Sequence, residues 1–128
     1  MKLILILVFF FSKFIQPNIT LEELDFIRQI SDSNSISIVS SGTKYCEEFF
    51  KQNRIYKPDS KVYAIPIEKY DCKPENICFL SSNTWDVSGG GVFGYNAIWV
   101  NRFNKVFDKL SYKPKFVIKN LKELLKII

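Results

Sequence analysis

The chain has 128 residues, of which 47% are hydrophobic and 24% are charged, and its mean hydropathy is close to zero. These values are typical of one compact globular domain and exclude a disordered or fibrous chain. The net charge is +5, but only three of the 18 basic residues are Arg and the Lys residues are scattered, which argues against nucleic-acid binding. Because the chain contains no His, Ser-His-Asp catalysis, Cys-His catalysis and His-bearing metal sites are all excluded.

The first predicted element is an apolar run over residues 3–11, behind Lys2. It is shorter than the roughly 20 apolar residues that a membrane span needs, and no small-residue cleavage site of a signal peptide follows it. A short, uniformly apolar run is typical of a strand buried on both faces of a parallel sheet. We therefore treat residues 1–16 as a separate apolar N-terminal segment. The sequence favours the cytoplasm, with secretion or membrane association through residues 1–16 as the alternative.

Helices and strands alternate along the rest of the chain. Thr20 and Glu23 form a capping box, in which each side chain can bind the backbone amide of the other, and this predicts a helix from Thr20 to Ile30. Further helices are predicted over 43–52, from about residue 85, and after Asn120. Four strands are predicted in addition: 35–39, 77–80, 97–100 and 116–118. This alternation predicts an α/β fold with a parallel sheet, in which ligands bind beyond the carboxyl ends of the strands.

Two further patterns concern the core. The C-terminal helix is predicted to have Asn120 as its cap and Glu123 as the partner in a capping box. Its inner stripe is predicted to consist of four apolar residues: Leu121, Leu124, Leu125 and Ile128. The three cysteines fit neither a CxxC motif nor a paired disulfide framework, which indicates inert thiols in a reducing compartment: Cys46, Cys72 and Cys78.

Three polar clusters lie where an α/β sheet would place a binding site. They are the Ser-rich segment 40–43, Lys57 in the sequence IYKPD, and the segment 81–86 with the sequence SSNTWD. Each cluster alone is more often structural than functional, because Ser-rich turns cap helices and a single Lys is usually solvated. Their order along one chain is what indicates a site.

The order of these clusters resembles that of a known family. IYKPDSKVY (Ile55–Tyr63) and the segment from Cys78 to Leu110 resemble the C-terminal part of the L-2-haloacid dehalogenases, a branch of the haloacid dehalogenase superfamily. The motifs that carry the resemblance are SSNxWD, the GxxxFG of Gly89–Gly94 and the WVNR of Trp99–Arg102. The resemblance extends from about residue 17 to the end. It implies that residues 17–128 are the C-terminal part of a Rossmann-like core, with a truncated parallel sheet, flanking helices and no cap domain.

The resemblance also implies a reaction. In the family, an Asp nucleophile displaces halide from an (S)-2-haloacid, and water hydrolyses the resulting ester to an (R)-2-hydroxyacid, with no metal and no cofactor. The resemblance implies four catalytic residues. Lys57 would hold the nucleophile ionised. Ser81, Asn83 and Asp86 would fix Lys57 and the hydrolytic water, with Asp86 as general base.

The resemblance implies four substrate-binding residues. Ser40 and Ser41 would lie where the family holds the substrate carboxylate and the halide. Tyr63 would lie near the substrate, and Trp85 would line an apolar pocket.

The chain departs from the family in several places. No Asp follows a predicted strand in a DxxGT-like context, and the cap domain that brings the halide-binding Arg is missing. The fourteen residues between Gly42 and Lys57 are too few for the helix, loop and strand of the family, so one element is expected to be missing. Pro66 lies in the helix expected after Lys57, at a cost of about 3 kcal/mol. Gly90 and Gly91 lie in the helix after SSNTWD, at about 1 kcal/mol each.

These departures leave three hypotheses. The chain is a truncated dehalogenase-like hydrolase that is inactive alone, whose substrate would be a small 2-halocarboxylate. Alternatively it is a half-enzyme that complements a separate N-terminal piece, or it is a non-enzymatic binding or membrane-associated remnant. The protein partners expected are such an N-terminal half or a second copy in a homodimer. The family's first strand lies in the middle of its sheet, so residues 3–10 either fill that position or are the tail of the lost cap.

Overall fold

The computed structural model describes residues 4–7, 20–23, 25–26, 29, 37–40 and 44–127. Within these residues, five strands form one sheet: β1 Ile4–Leu7, β2 Ser37–Ser40, β3 Ile77–Ser81, β4 Asn96–Val100 and β5 Phe116–Ile118. The α-helices with described bounds are α1 Lys44–Asn53, α2 Ser60–Tyr70 and α3 Thr84–Phe93. Residues 21–23, 25–26 and 29 are also helical, and Pro74–Asn76 and Leu121–Lys126 are 3-10 segments. The predicted α/β fold is confirmed.

The sheet has the strand order β2-β1-β3-β4-β5, and every neighbouring pair is parallel. β1 therefore lies inside the sheet, between β2 and β3. This is the position that the strand hypothesis predicts for the apolar N-terminal segment, of which residues 1–3 and 8–16 lie outside the described part. A parallel strand inside a sheet is covered on both faces, which fits its uniformly apolar sequence ILIL.

Both faces of the sheet carry a hydrophobic core, because alternate residues of each strand point to opposite sides. On one face, Cys78 and Leu80 of β3 pack with Leu121 and Leu124, and Phe26 of the N-terminal helical segment packs against this cluster. On the other face, seven buried residues from the sheet, α2, α3 and their connections pack together: Tyr63, Ile77, Phe79, Val87, Tyr95, Ala97 and Trp99. Cys72 and Cys78 are free thiols, and burial raises the pKa of Cys78 to about 12.

The capping box at the start of the N-terminal helix is confirmed. The Thr20 amide donates to Oε2 of Glu23 at 3.0 Å, and the Glu23 amide donates to the Thr20 hydroxyl at 3.2 Å. The predicted helix continues in residues 25–26 and 29, whereas residues 24, 27–28 and 30 lie outside the described part. The local signal was sufficient here because both partners lie within one helical turn.

The C-terminal segment differs from its prediction as an α-helix with four inward apolar residues. Leu121–Lys126 is a 3-10 helix, capped by the Asn120 side chain, which accepts from the Lys122 amide at 3.0 Å. Leu121 and Leu124 are buried, but Leu125 is 60% exposed and Ile128 lies outside the described residues. In a 3-10 helix, residues three apart lie above one another, so Leu124 follows Leu121 into the core while Leu125 turns outward.

The segment before Lys57 is short, as the sequence predicted. α1 ends at Asn53 and α2 begins at Ser60, where Asp59 caps the helix by accepting from the Lys61 amide at 2.9 Å. Among residues 44–60, which the structure describes throughout, no strand intervenes. Pro66 lies inside α2 and is buried, and the helix continues to Tyr70. None of the described helices is long and apolar enough to cross a membrane.

The glycines of α3 have a packing role that the sequence did not reveal. A Cβ atom added to Gly90 would lie 2.7 Å from Cδ1 of Phe79, one added to Gly89 would lie 2.5 Å from the Tyr63 hydroxyl, and one added to Gly91 would overlap the Tyr112 ring. The glycines therefore let α3 approach β3, α2 and the loop around Tyr112 closely. Their helix-propensity cost was predicted, but this closer packing was not.

We expect Gly90→Ala to lower the free energy of unfolding by about 1–3 kcal/mol, because the new methyl group overlaps the buried Phe79 ring. Alanine is the better helix former by about 1 kcal/mol, so a gain in stability is the result expected if packing did not matter. Val92→Ala is the matched control, since Val92 is exposed on the same helix. Urea denaturation of both variants measures the effect, and a stabilised Gly90→Ala protein would contradict the packing role.

Candidate active site

The SSNTWD segment crosses the carboxyl edge of the sheet next to its topological switch point. β3 ends at Ser81 and α3 begins at Thr84, so residues 81–86 connect the strand to the helix at this edge. β3 is the neighbour of β1, and β2 lies on the other side of β1. In sheets with this strand order, ligands bind outside the carboxyl ends of the strands where the connections diverge.

Lys57 and Asp86 form a buried ion pair at this edge. Nζ of Lys57 lies 3.0 Å from Oδ1 and 3.2 Å from Oδ2 of Asp86. The Asp86 side chain is 0% exposed and the Lys57 side chain 11% exposed. Isolating either charge in such a place is costly, so each ion stabilises the other. The pair also joins the loop before α2 to the first turn of α3, where the helix dipole favours a carboxylate.

Tyr63 completes this cluster from α2. Its hydroxyl donates a hydrogen bond of 2.8 Å to Oδ1 of Asp86, and the Tyr95 hydroxyl donates to the Tyr63 carbonyl oxygen. Burial, followed by the charge and hydrogen bond of Asp86, raises the pKa of Tyr63 well above its ordinary value. Tyr63 therefore remains a hydrogen-bond donor at neutral pH. The resemblance assigned Tyr63 to the substrate, whereas the contact observed is with Asp86. We call Lys57, Tyr63 and Asp86 the lysine cluster.

The Lys57 ammonium lies over two aromatic rings. Nζ of Lys57 lies 5.0 Å from the ring centroid of Phe79 and 5.5 Å from that of Tyr63. Both distances are within the range of a cation–π interaction. Phe79 was not predicted to belong to the site. Its place in an apolar strand gave no sign of contact with a charge, although its odd-numbered position puts it on the same face of β3 as Ser81.

Ser81 and Asn83 shape the loop between β3 and α3. The Ser81 hydroxyl is buried and accepts a hydrogen bond of 3.2 Å from the backbone N–H of Asn83. Asn83 occupies the N-cap position of α3 with an extended backbone, and its side chain makes no capping hydrogen bond. The Trp99 indole donates to the Ser82 carbonyl at 3.2 Å, which ties the loop to β4. Both predicted residues thus lie at the same edge as Asp86.

The predicted substrate-binding residues are only partly described. Ser40 is the last residue of β2, and the register pairs Leu7 with both Ser40 and Leu80. Since adjacent strands lie about 4.8 Å apart, the backbones of Ser40 and Leu80 are about 10 Å apart at one edge. The Ser40 side chain and all of Ser41 lie outside the described part. Trp85 is 40% exposed at the start of α3.

None of the Asp residues that the structure describes ends a strand. Asp25 is exposed in the N-terminal helical segment, Asp59 caps α2, and Asp71 has a left-handed conformation at the end of α2. Asp86 belongs to the lysine cluster, and Asp108 accepts a hydrogen bond from the Thr84 hydroxyl in the loop after β4. The residues that follow β1, 8–19, lie outside the described part. Among the described residues, no group of three His, Cys, Asp or Glu side chains could hold a metal ion.

Comparisons with known proteins agree with this picture. No family model matches the chain. An (S)-2-haloacid dehalogenase from Pseudomonas putida is 44% identical over 71 residues, which are 56% of this chain and 31% of the relative. (S)-2-haloacid dehalogenase 2 from Pseudomonas sp. strain CBS-3 is 32% identical over 102 residues, which are 74% of this chain and 44% of the relative. The chain thus spans less than half the length of these curated relatives.

Solved structures match the fold over most of the chain. An L-2-haloacid dehalogenase has a TM-score of 0.71 and 22% identity, over 84% of this chain and 55% of the other. The L-2-haloacid dehalogenase of Xanthobacter autotrophicus, with chloropropionic acid covalently bound, has a TM-score of 0.61 and 20% identity, over 72% and 54%. At this identity the structures establish the fold alone. The chain is thus similar in sequence to curated (S)-2-haloacid dehalogenases and in fold to solved L-2-haloacid dehalogenases, of which it resembles the C-terminal core part.

Proposed function

We propose that this chain is a truncated haloacid dehalogenase-like hydrolase that is inactive alone. The reaction to which its site belongs is the metal-free hydrolysis of small (S)-2-haloacids to (R)-2-hydroxyacids through an aspartyl ester. One observation carries this proposal: the lysine cluster lies at the carboxyl edge of the sheet beside β1, the strand after which the family has its nucleophile. The similarity to (S)-2-haloacid dehalogenases supports the substrate class.

The lysine cluster can supply what this reaction needs from a cation. A carboxylate nucleophile attacks the α-carbon and halide leaves with the electron pair, so the ammonium of Lys57 favours the ionised nucleophile and holds it in place. Water then attacks the ester carbonyl and loses a proton to a base. We assign Asp86 as that base, because it is the carboxylate that contacts Lys57 at this edge and Tyr63 holds it in place.

The missing component is the nucleophile. The sequence has no Asp in the family's DxxGT-like context. Ser81, Asn83 and Asp86 nevertheless lie together with Lys57 at the edge where the nucleophile would act. An intact cationic site without its nucleophile favours a second hypothesis, in which a separate N-terminal piece supplies the Asp and completes a half-enzyme.

We expect the purified chain to release no chloride from L-2-chloropropionate, because its sequence has no Asp in the DxxGT-like context of the family's nucleophile. Chloride is measured by ion chromatography after long incubation, with a complete L-2-haloacid dehalogenase as the positive control. Addition of the N-terminal half of such an enzyme, which carries the Asp, tests the half-enzyme hypothesis. Chloride release by the pair and not by a pair made with the Lys57→Met chain would support that hypothesis. Release by the chain alone would overturn the proposed inactivity, and no release in either case supports it.

A further inference from the structure

Phe79 lies close both to Lys57 and to Gly90 of α3. The residue is 1% exposed in β3, and its ring centroid is 5.0 Å from Nζ of Lys57. The Tyr63 ring meets it edge-on, at 5.8 Å between centroids and an interplanar angle of 77°. A Cβ atom on Gly90 would lie 2.7 Å from the Phe79 ring, so the glycine allows α3 to hold the ring from the side. The ring position is thus fixed by its neighbours.

The sheet alone does not require an aromatic residue at this position. Buried strands of parallel sheets are usually built from Val, Ile and Leu, and β3 itself uses Ile77 and Leu80. An aliphatic side chain would fill the space but would offer the ammonium no negative π face. Because Lys57 is only 11% exposed, little water replaces that interaction. An aromatic side chain at position 79 therefore offers the Lys57 ammonium an interaction that an aliphatic side chain would not.

We propose that Phe79 is a positioning residue for Lys57, whose ring holds the ammonium through a cation–π interaction. Asp86 fixes the ammonium from the side of α3, while the ring face of Phe79 fixes its height above β3. The ring stabilises the protonated amine and keeps it at the carboxyl edge. The importance of this position for turnover rests on the proposed function, but the interaction itself does not.

The test replaces Phe79 by phenylalanines that carry one, two or three ring fluorines. Fluorination withdraws charge from the ring face while hardly changing the size of the ring, so packing is preserved and the cation–π interaction weakens stepwise. A small amine reagent, acetic anhydride, is applied at a fixed pH at which most of the Lys57 amine is protonated. Mass spectrometry then gives the labelling rate of Lys57, which is proportional to the fraction of neutral amine.

We expect the Lys57 labelling rate to rise with each fluorine, to about three- to tenfold for the trifluorinated ring. Lys61, which is exposed on the same helix as Tyr63, is the internal reference and should label at a constant rate. A Lys57 rate that does not depend on the number of fluorines would overturn the proposal. Since labelling needs no turnover, this result is independent of whether chloride release is ever observed.

The variant Phe79→Leu provides a second measurement. It removes the ring face and is expected to raise the labelling rate of Lys57 at least as much as trifluorination, relative to Lys61. An unchanged ratio in a folded Phe79→Leu protein would also contradict the proposal. If this variant does not fold, the fluorinated series still decides, because those rings keep the shape that α3 and Tyr63 contact.

Discussion

Asp86→Asn is expected to lower the free energy of unfolding by about 3 kcal/mol. The amide has nearly the volume of the carboxylate, so the change removes charge and leaves packing almost unaltered. Lys57 then remains 11% exposed with no carboxylate at 3.0 Å, and the loss of one partner of a buried pair costs about 3–5 kcal/mol. The lower end of that range applies because Lys57 is partly solvated. Urea denaturation at neutral pH measures the change.

The control for Asp86→Asn is Glu68→Gln, which removes an exposed carboxylate from α2 and should leave stability close to that of the parent. The double variant Lys57→Met/Asp86→Asn should recover part of the loss, since no unpaired charge is left in the site. A double variant as unstable as the sum of the two single variants would show that Lys57 and Asp86 do not interact in solution. In that case the central observation of the proposed function would fail.

Much of this fold could be predicted from sequence because its signals are local. A capping box joins residues three apart, as in Thr20 and Glu23, and the strand Phe116–Ile118 was predicted at its observed bounds. The central position of β1 required more than a local pattern. The apolar run was compatible with a buried strand, but its place between β2 and β3 followed only from the resemblance to a family with a central first strand.

The C-terminal stripe shows where a local pattern was insufficient. Apolar residues at 121, 124 and 125 fit an α-helix, but the segment forms a 3-10 helix, in which Leu125 cannot share the face of Leu121. Similarly, the sequence alone indicates only that glycines lower the stability of a helix, and the close approach of Phe79 to Gly90 becomes visible only in the structure. In both cases the conformation and packing depend on the surface that the segment contacts, and the spacing of residues in the sequence does not specify that surface.

In the candidate site, too, residue identities could be predicted from sequence but contacts between distant residues could not. Lys57 and Asp86 could be named from motif resemblance, but their direct contact spans 29 residues and depends on how α2 and α3 meet. Phe79 was missed because the residues directly before and after it, Cys78 and Leu80, are apolar, and such a run gives no sign of the charge above one of its faces. Tyr63 was assigned to the site, yet its hydroxyl contact with Asp86 could be recognised only in three dimensions.

A second buried carboxylate, Glu23, ties the N-terminal helical segment to the C-terminal half of the chain. Arg102 donates from both terminal nitrogens to the Glu23 carboxylate, at 2.8 Å and 3.1 Å, and the Leu121 amide donates to it at 3.0 Å. The Thr20 amide donates to it as well, at 3.0 Å. One carboxylate thus joins the helix start, the loop after β4 and the final 3-10 segment.

We expect Glu23→Gln to lower the free energy of unfolding by about 3–5 kcal/mol at neutral pH, because Arg102 would lose its buried counter-charge. Glu22→Gln is the matched control. Glu22 is adjacent in sequence and pairs with Lys122, but its side chain is 78% exposed whereas that of Glu23 is 3% exposed. Exposed ion pairs contribute little, so this control should unfold close to the parent. Equal losses in the two variants would contradict the buried network.

The Glu23 network also predicts how stability depends on pH. Burial alone would raise the pKa of Glu23, but the hydrogen bonds from Arg102, Leu121 and Thr20 and the Arg102 charge outweigh it and hold the pKa below its ordinary value of 4.5. A carboxyl with a lowered folded-state pKa stabilises the fold above its ordinary pKa, and this stabilisation is lost as the pH falls through the folded value. The parent should therefore lose more stability between about pH 6 and pH 3 than Glu23→Gln does, in urea denaturation at each pH. Parallel pH profiles for the two proteins would show that the Glu23 carboxylate is not held by these donors in solution.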